Sequence, residues 1–459
     1  MTVSADGASG VAGAPRLVSR PGAPANLIVR AARLFDPRTG LDVTRDLVIR
    51  DGEIAELAEP GGAPEIEGAE AVDGEGLLAL PAFVDPHVHL RIPGQEHKED
   101  LETGTRSAAA GGYCAVIAMA NTSPPVDSAA VLGSVRERAE REASIPIGFV
   151  ANVTREMVGT ELTEMAELRD AGAIGFSDDG LPIANARVLR RALQYQRLAG
   201  GLIALHEEDP DLSAGGVMHE GEVSAALGMA GVPSVSESTM IARDCSLALY
   251  EDAPIHVQHL SARASVEEVA RAKAAGVRIT CEATPHHLTL TDEAVRSLDA
   301  RFKMNPPLRS EDDRQALIDG LRDGTIDCVA TDHAPHAAEE KEVPFEEAAW
   351  GVTGLETAFA ALYTDLVLPG VLPLEILVAR MTCGGEPFGI DAPRLEVGAA
   401  ANITLIDPEL SWTVGEEGYE SRSYNNCFAD RELTGRVLMT VAAGQVAFRQ
   451  RSFALGVAS

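Results

Sequence analysis

The chain has 459 residues, enough for one large barrel with an accessory domain or for two or three modest domains. Its 45% hydrophobic and 24% charged residues are ordinary for a soluble globular protein, and no apolar run is long enough to span a bilayer. With 70 acidic against 38 basic side chains and a formal charge of −32, the surface repels phosphate backbones and anionic lipid, which argues against nucleic acid and membranes as partners; an anionic substrate would need a local cation.

Residues 1–25 are rich in Ala, Gly, Pro and Ser and lack the basic and apolar blocks of a secretory signal, so a loose, disordered extension is expected there. Residues 26–80 read as short strands: LIVRAARLFD, DLVIRDGEIAEL with a hairpin turn at Asp51-Gly52, and EAVDGEGLLALP. Over 81–395 short apolar runs alternate with helical patterns. The runs are CAVIAMAN, SIPIGFVAN, AIGFS, LIALH, IHVQHL, VRITCEAT and DCVATDHA; the helical segments include VLGSVRERAERE, ARVLRRALQYQRLAG and SVEEVARAKAAG. This alternation predicts parallel strands with covering helices, and an α/β fold of the (β/α)8 TIM-barrel type suits the length. A doubly wound open sheet is the alternative, disfavoured in its dinucleotide-binding form because no GxGxxG follows the first strand. Strand patterns return in ANITLIDPEL and RVLMTVAAGQVAFRQ, so 396–459 is expected to join 26–80 in one small β-sandwich domain. The six cysteines (Cys114, Cys245, Cys281, Cys328, Cys383 and Cys427) are scattered without a CxxC, which predicts buried reduced thiols in a cytoplasmic protein.

The chemistry lies where the polar residues fall. FVDPHVHL sets His87 and His89 two apart, on one face of a strand, so both imidazoles can reach one ion. AIGFSDDG brings Asp178 and Asp179, LIALH ends on His206, IHVQHLS contains His256 and His259, and DCVATDHAPH supplies Asp332, His333 and His336. Strand C-termini of a parallel barrel converge on one face, so these groups would ring one cavity. An HxH alone is more often structural, and His256 and His333 could be satisfied core residues. His97, His219, His286 and His287 have no strand end to recommend them. Nitrogen and carboxylate donors without thiolates suit Zn²⁺, with Mn²⁺ or Co²⁺ as substitutes.

DPHVHLR, GFSDDG, KMNPPLR and ATDHAPH, in this order, resemble the class I dihydroorotases of the amidohydrolase superfamily. VIAMANTSPPVD, FEEAAWGVTGLETAF and SYNNCFADRELTGRVLMTV are weaker echoes, and the likeness runs from about residue 27 to 450. The resemblance implies two zinc ions: His87, His89 and Asp332 would bind the first, His206 and His259 the second. Asp179 would bridge them, with Asp178 as its nearest competitor. Many amidohydrolases bridge with a carboxylated lysine, but no lysine lies near the AIGFSDDG strand end. Arg91, helped by Asn121, would hold the substrate carboxylate; Asn305 and His336 would contact the ring amide and carboxylate; Trp350 and Gly351 would touch substrate from a flexible loop. The implied reaction is the reversible cyclisation of N-carbamoyl-L-aspartate to L-dihydroorotate in pyrimidine (UMP) biosynthesis, with a metal-bridging hydroxide as nucleophile and Asp332 as general base and acid. Three motifs depart from the family pattern without removing a ligand: Ile92 stands where Glu is usual, Met119-Ala120-Asn121-Thr122 replaces MPNT, and LHEED replaces HCED.

One rival is another cyclic amidase, of the allantoinase or hydantoinase type, against which the missing lysine weighs. A second is a weakly active dihydroorotase-like subunit supporting aspartate transcarbamoylase, against which six intact ligands weigh. A non-catalytic barrel module explains none of the ligand pattern. The expected setting is a cytoplasmic homo-oligomer acting on a small molecule, with aspartate transcarbamoylase as a candidate partner.

Overall fold

Eight short apolar runs form the barrel: Phe83–Val88, Tyr113–Ala118, Ile147–Ala151, Gly175–Phe176, Leu202–Leu205, Ile255–Val257, Ile279–Ala283 and Cys328–Val329. The computed structural model describes residues 16–451 and 453. These strands are buried on nearly every residue, as parallel strands covered on both faces must be. They pair in chain order, with Ile203 opposite Phe176 on one side and Ile255 on the other. A parallel bridge between Val88 and His333 brings the first strand against the end of the eighth and closes the ring.

Local signals set the surrounding helices. Asp100 caps Leu101–Ala110 in a capping box with Thr103, and Ser310 does the same for Glu311–Asp323 through Asp313. Gly324 ends the latter helix at φ +90°, a conformation that a β-carbon disfavours. Helix Ala186–Ala199 buries Val188, Leu189, Ala192, Leu193 and Gln196, one stripe at helical spacing facing the barrel.

Both chain ends build a second, mostly antiparallel sheet. Its order is Gln445–Arg449, Glu432–Ala442, Ile403–Thr413, Leu78–Pro81, Leu27–Asp36, Leu41–Arg50 and Glu53–Ala58, with Glu70–Asp73 also on Leu27–Asp36. The splice between the two ends is Leu78–Pro81 against Ile403–Ile406. Leu27, Leu34, Leu47, Ile49, Ile403, Leu405 and Met439 share its core. Residues 414–431 leave this sheet and reach the barrel mouth, where Ser421 donates to Glu99 and the Asn425 amide donates to the carbonyls of Ala334 and Gly351, both at 3.1 Å.

Of the loose extension expected over 1–25, residues 1–15 lie outside the described residues. Residues 16–25 are not loose at their start. Val18 is buried and exchanges backbone hydrogen bonds of 3.0 and 2.8 Å with Ile147, and the Arg20 N–H donates to Ala143. A short apolar pair, Leu17-Val18, docks on the third barrel strand, and its polar surroundings hid it in the composition. Among the described residues no helix is long and apolar enough to cross a membrane.

Candidate metal centre

Four histidines and two aspartates from five strand ends meet at one end of the barrel. His87 and His89 leave the first strand on one side, and the His89 N–H donates to the His333 carbonyl at 2.9 Å. Asp179 follows the fourth strand, His206 the fifth, His259 the sixth and Asp332 the eighth. Arg91, His259 and Asp332 adopt left-handed backbone conformations (φ +59°, +33° and +47°). Such angles cost about 1–3 kcal/mol each in a non-glycine residue and concentrate where function requires them.

Asp179 divides its two oxygens between two histidine pairs. Its Oδ2 lies 3.4 Å from His87 Nε2 and 3.3 Å from His89 Nε2. Its Oδ1 lies 3.7 Å from His206 Nδ1 and 3.6 Å from His259 Nε2. Asp332 Oδ1 joins the first pair, 3.0 Å from His89 Nε2 and 3.6 Å from His87 Nε2. Donors about 2.0–2.1 Å from a tetrahedral ion stand roughly 3.3 Å apart, close to most of these spacings; the His206–His259 nitrogens, at 2.9 Å, are tighter. His87 Nε2 and Asp179 Oδ1 are buried and lack any hydrogen-bond partner. A cation on either side of Asp179 would satisfy both atoms, so the residues present fit a pair of metal ions.

Charge shows the same competition. Burial would raise Asp179, but the His87 charge and the closeness of the His206 and His259 imidazoles hold it well below the usual carboxylate range. Burial would lower His87 and His206, yet Asp179, Glu282 and Asp332 hold the first well above its ordinary value, and Asp179 with Glu208 raises the second to about 9. Protons and metal ions seek the same nitrogens, so ion uptake here must release protons.

Asp178 faces the other way. Its carboxylate accepts from the backbone N–H groups of Val153 and Thr154, at 2.9 and 3.1 Å, and from the Thr154 hydroxyl at 2.5 Å. His256 and His333 are also held elsewhere, His256 by Thr280 and Glu282, and His333 by Glu99 and the Gly354 N–H. His219 meets Arg309, His287 bonds Thr284 and the Pro306 carbonyl, and His97 is exposed. Glu207, where the family motif has Cys, is buried beside Asp244; burial and that neighbour hold it well above the carboxylate range.

Sequence reasoning missed the outer carboxylates. Glu282, in the seventh strand, is fully buried; its Oε1 receives His87 Nδ1 at 2.7 Å and the His259 N–H at 3.2 Å, and its Oε2 meets His256 Nε2 at 3.0 Å. It is a further carboxylate in contact with both halves of the centre, and burial does not prevent His87 and His256 from lowering it to about 2. Its one sequence signal was an acid inside an otherwise buried strand. Glu208 sits 3.4 Å from His206 Nε2 and accepts from Asn305 Nδ2 at 2.6 Å. For Glu282→Gln, whose amide cannot accept on both oxygens, metal affinity measured against a competing chelator should fall about 10–100-fold. Unchanged affinity would remove the orienting role.

A cavity of ≈230 Å³ opens onto the centre and is lined by every residue singled out above as ligand or substrate contact except His87, which is fully buried. Arg91 is buried, donates through Nε to the Pro335 carbonyl at 3.0 Å, and has no ion-pair partner among the described residues. Asn121 Oδ1 meets His89 Nδ1 at 2.8 Å, so this residue orients a histidine as well as lining the cavity. His336 stands between Glu340, at 3.1 Å from Nδ1, and the Trp350 carbonyl, at 2.7 Å from Nε2; burial, then the charges of Arg91 and Lys341, lower it to about 3. Gly351 has φ +131°, and a β-carbon there would lie 2.7 Å from that of Ala334.

Residues 76–265 match the family described as Dihydro-orotase-like. A dihydroorotase from a Geobacter species is 45% identical over 425 residues, 92% of this chain and 99% of that protein. The dihydroorotase of Pelotomaculum thermopropionicum is 44% identical over 426 residues, 93% of this chain and 99% of that protein. Among solved structures, the L-hydantoinase of Arthrobacter aurescens superposes with a TM-score of 0.82 at 24% identity, covering 94% of this chain and 97% of its own. The dihydropyrimidinase of Brevibacillus agri gives 0.80 at 23%, covering 94% and 96%. At such identities the two structures show a shared fold and no more.

Proposed function

The chain belongs to the dihydroorotase family, and on that premise we propose that it catalyses the reversible closure of N-carbamoyl-L-aspartate to L-dihydroorotate in de novo pyrimidine biosynthesis. The observation that carries the reading is Arg91: a buried guanidinium with no ion-pair partner among the described residues, in the same small cavity as a carboxylate shared by two histidine pairs. On a chain of charge −32, a buried cation kept in such a cavity suits an anionic substrate. Dihydroorotate carries a carboxylate on its ring, whereas hydantoin and allantoin offer none.

His87 and His89, with Asp332 beside them, would hold one divalent cation, His206 and His259 the other, with Asp179 between them, and the donor set suits zinc. Bound there, the ions would supply Lewis acidity, bringing water toward its hydroxide form near neutral pH and polarising the amide carbonyl. Arg91 clamps the substrate carboxylate by paired hydrogen bonds, with Asn121 beside it. Asn305 and His336 hold the ring amide and carboxylate, and Trp350 with Gly351 closes one wall. In hydrolysis Asp332 takes the proton of the attacking water and delivers it to the departing amide nitrogen. In ring closure it takes the proton of the attacking carbamoyl nitrogen and passes it to the departing oxygen.

The six cysteines are buried and unpaired, which fits a reducing compartment, and we place the chain in the cytoplasm. Self-association and contact with aspartate transcarbamoylase rest on the family likeness alone.

The test compares dihydroorotate, hydantoin and allantoin as substrates of the zinc-loaded protein. Dihydroorotate should be preferred, and Arg91→Ala should raise its KM by roughly 100-fold, the loss of two charge-assisted hydrogen bonds, with a smaller change in kcat. Preference for hydantoin, or a KM indifferent to Arg91, would overturn the reading.

A further inference from the structure

We propose that Lys303 and Lys341 are positioning residues that fix the Trp350–Gly351 wall of the reaction cavity. Lys303 opens the KMNPPLR segment, whose Asn305 lines that cavity, and it is 2% exposed. A buried ammonium normally needs a counter-charge. Among the described residues neither lysine forms an ion pair; the paired lysines are Lys98 and Lys273.

Both ammonium groups are spent on backbone. Lys303 Nζ donates to the carbonyls of Phe345 and Glu346, each at 2.8 Å, and lies 4.8 Å from the centre of the Trp350 ring. The Lys303 carbonyl in turn accepts from the Gly351 N–H at 3.0 Å. Lys341 Nζ spans the same joint, donating to Ala300 at 2.9 Å, Lys303 at 3.0 Å and Ala349 at 2.7 Å. Three of these five bonds therefore end on residues 345–349, immediately before Trp350, and the other two on residues 300–303, immediately before Asn305. The cation on the indole face and the bond to Gly351 set the wall directly.

The sequence suggested a flexible loop here; lysines from two neighbouring segments supply it with hydrogen bonds that it cannot make for itself. The brace also reaches His336, whose Nε2 lies 2.7 Å from the Trp350 carbonyl. Arg309, at the far end of the same motif, is bound instead to Ser261 and the Val232 carbonyl. The motif thus carries an anchor at each end and a substrate contact between them, and only the Lys303 anchor touches the Trp350 wall.

The inference rests on the ring-closing reaction proposed above, but one of its readouts does not. The chain has two tryptophans, Trp350 and Trp412, so Trp412→Phe leaves Trp350 as the sole indole reporter. In that background, with zinc bound, Lys303→Met should about double the acrylamide quenching of Trp350. It should raise the KM for dihydroorotate about tenfold with kcat within roughly threefold and zinc content unchanged. Lys303→Arg should recover part of both effects. A folded Lys303→Met with unaltered quenching and KM, even at a lower melting temperature, would reduce the lysine to a packing role and overturn the proposal. If Lys303→Met does not fold, Lys341→Met decides by the same two measurements. Should dihydroorotate prove not to be a substrate, the quenching still decides whether the wall is braced.

Discussion

Replacing Asp332 by Asn is expected to cut kcat by about 10²–10⁴-fold, roughly 3–5 kcal/mol of barrier, with the fold and much of the bound metal retained. Asp332 ends the eighth strand in a left-handed conformation, with Oδ1 3.0 Å from His89 Nε2 and its side chain on the cavity that Arg91 also lines. An amide keeps the size of the carboxylate and its contact with His89, but it cannot store a proton. Burial would raise this carboxyl; the surrounding histidines reverse that and hold it well below its usual range, so it stands ionised. The decisive measurement pairs initial rates with metal analysis on the same sample. A metal-loaded Asn variant within about tenfold of the parent would transfer the proton role elsewhere, because so small a loss is below what a general base contributes.

The ring of candidate ligands was legible because a parallel barrel sends every strand end to one face, so ligand-type residues ending separate runs had to converge. The choice between Asp178 and Asp179 was not open to the same reasoning. Adjacent residues in an extended chain face opposite sides, and periodicity does not say which side of the segment after the fourth strand is the cavity. In the fold the Val153 and Thr154 N–H groups claim Asp178, and Asp179 lies among the four histidines. Glu282 and Glu208 escaped for a related reason: each acts on a histidine distant from it or beside it only after folding, and in the chain each reads as one more acid among 70. The β-domain was readable as two sets of strands, but the excursion of 414–431 to the barrel mouth was not. Its polar side chains gain their partners from Glu99, Ala334 and Gly351 rather than from any local pattern.

Asp179→Ala should have the largest effect on the centre itself. Residues that merely orient a ligand cost about 10–100-fold in metal affinity when lost; removing the carboxylate proposed to be shared by two ions should exceed that at both sites and take activity below detection. Without metal the loss has a second signature. His206 is raised to about 9 in the fold, largely by Asp179 once burial is overcome, so its protonation favours the folded state below pH about 6.5 and ceases to do so as pH rises through 9. The metal-free parent should therefore lose melting temperature across that window, and the metal-free Ala variant should lose less. Asp178→Ala is the contrast: it strips the Val153 and Thr154 donors of their acceptor and should cost stability by about 2–3 kcal/mol while both ions still bind. If elemental analysis instead found two ions in the Asp179 variant and none in the Asp178 variant, the bridging role would pass to the wrong neighbour, and the division of one carboxylate between two histidine pairs would have no chemical meaning.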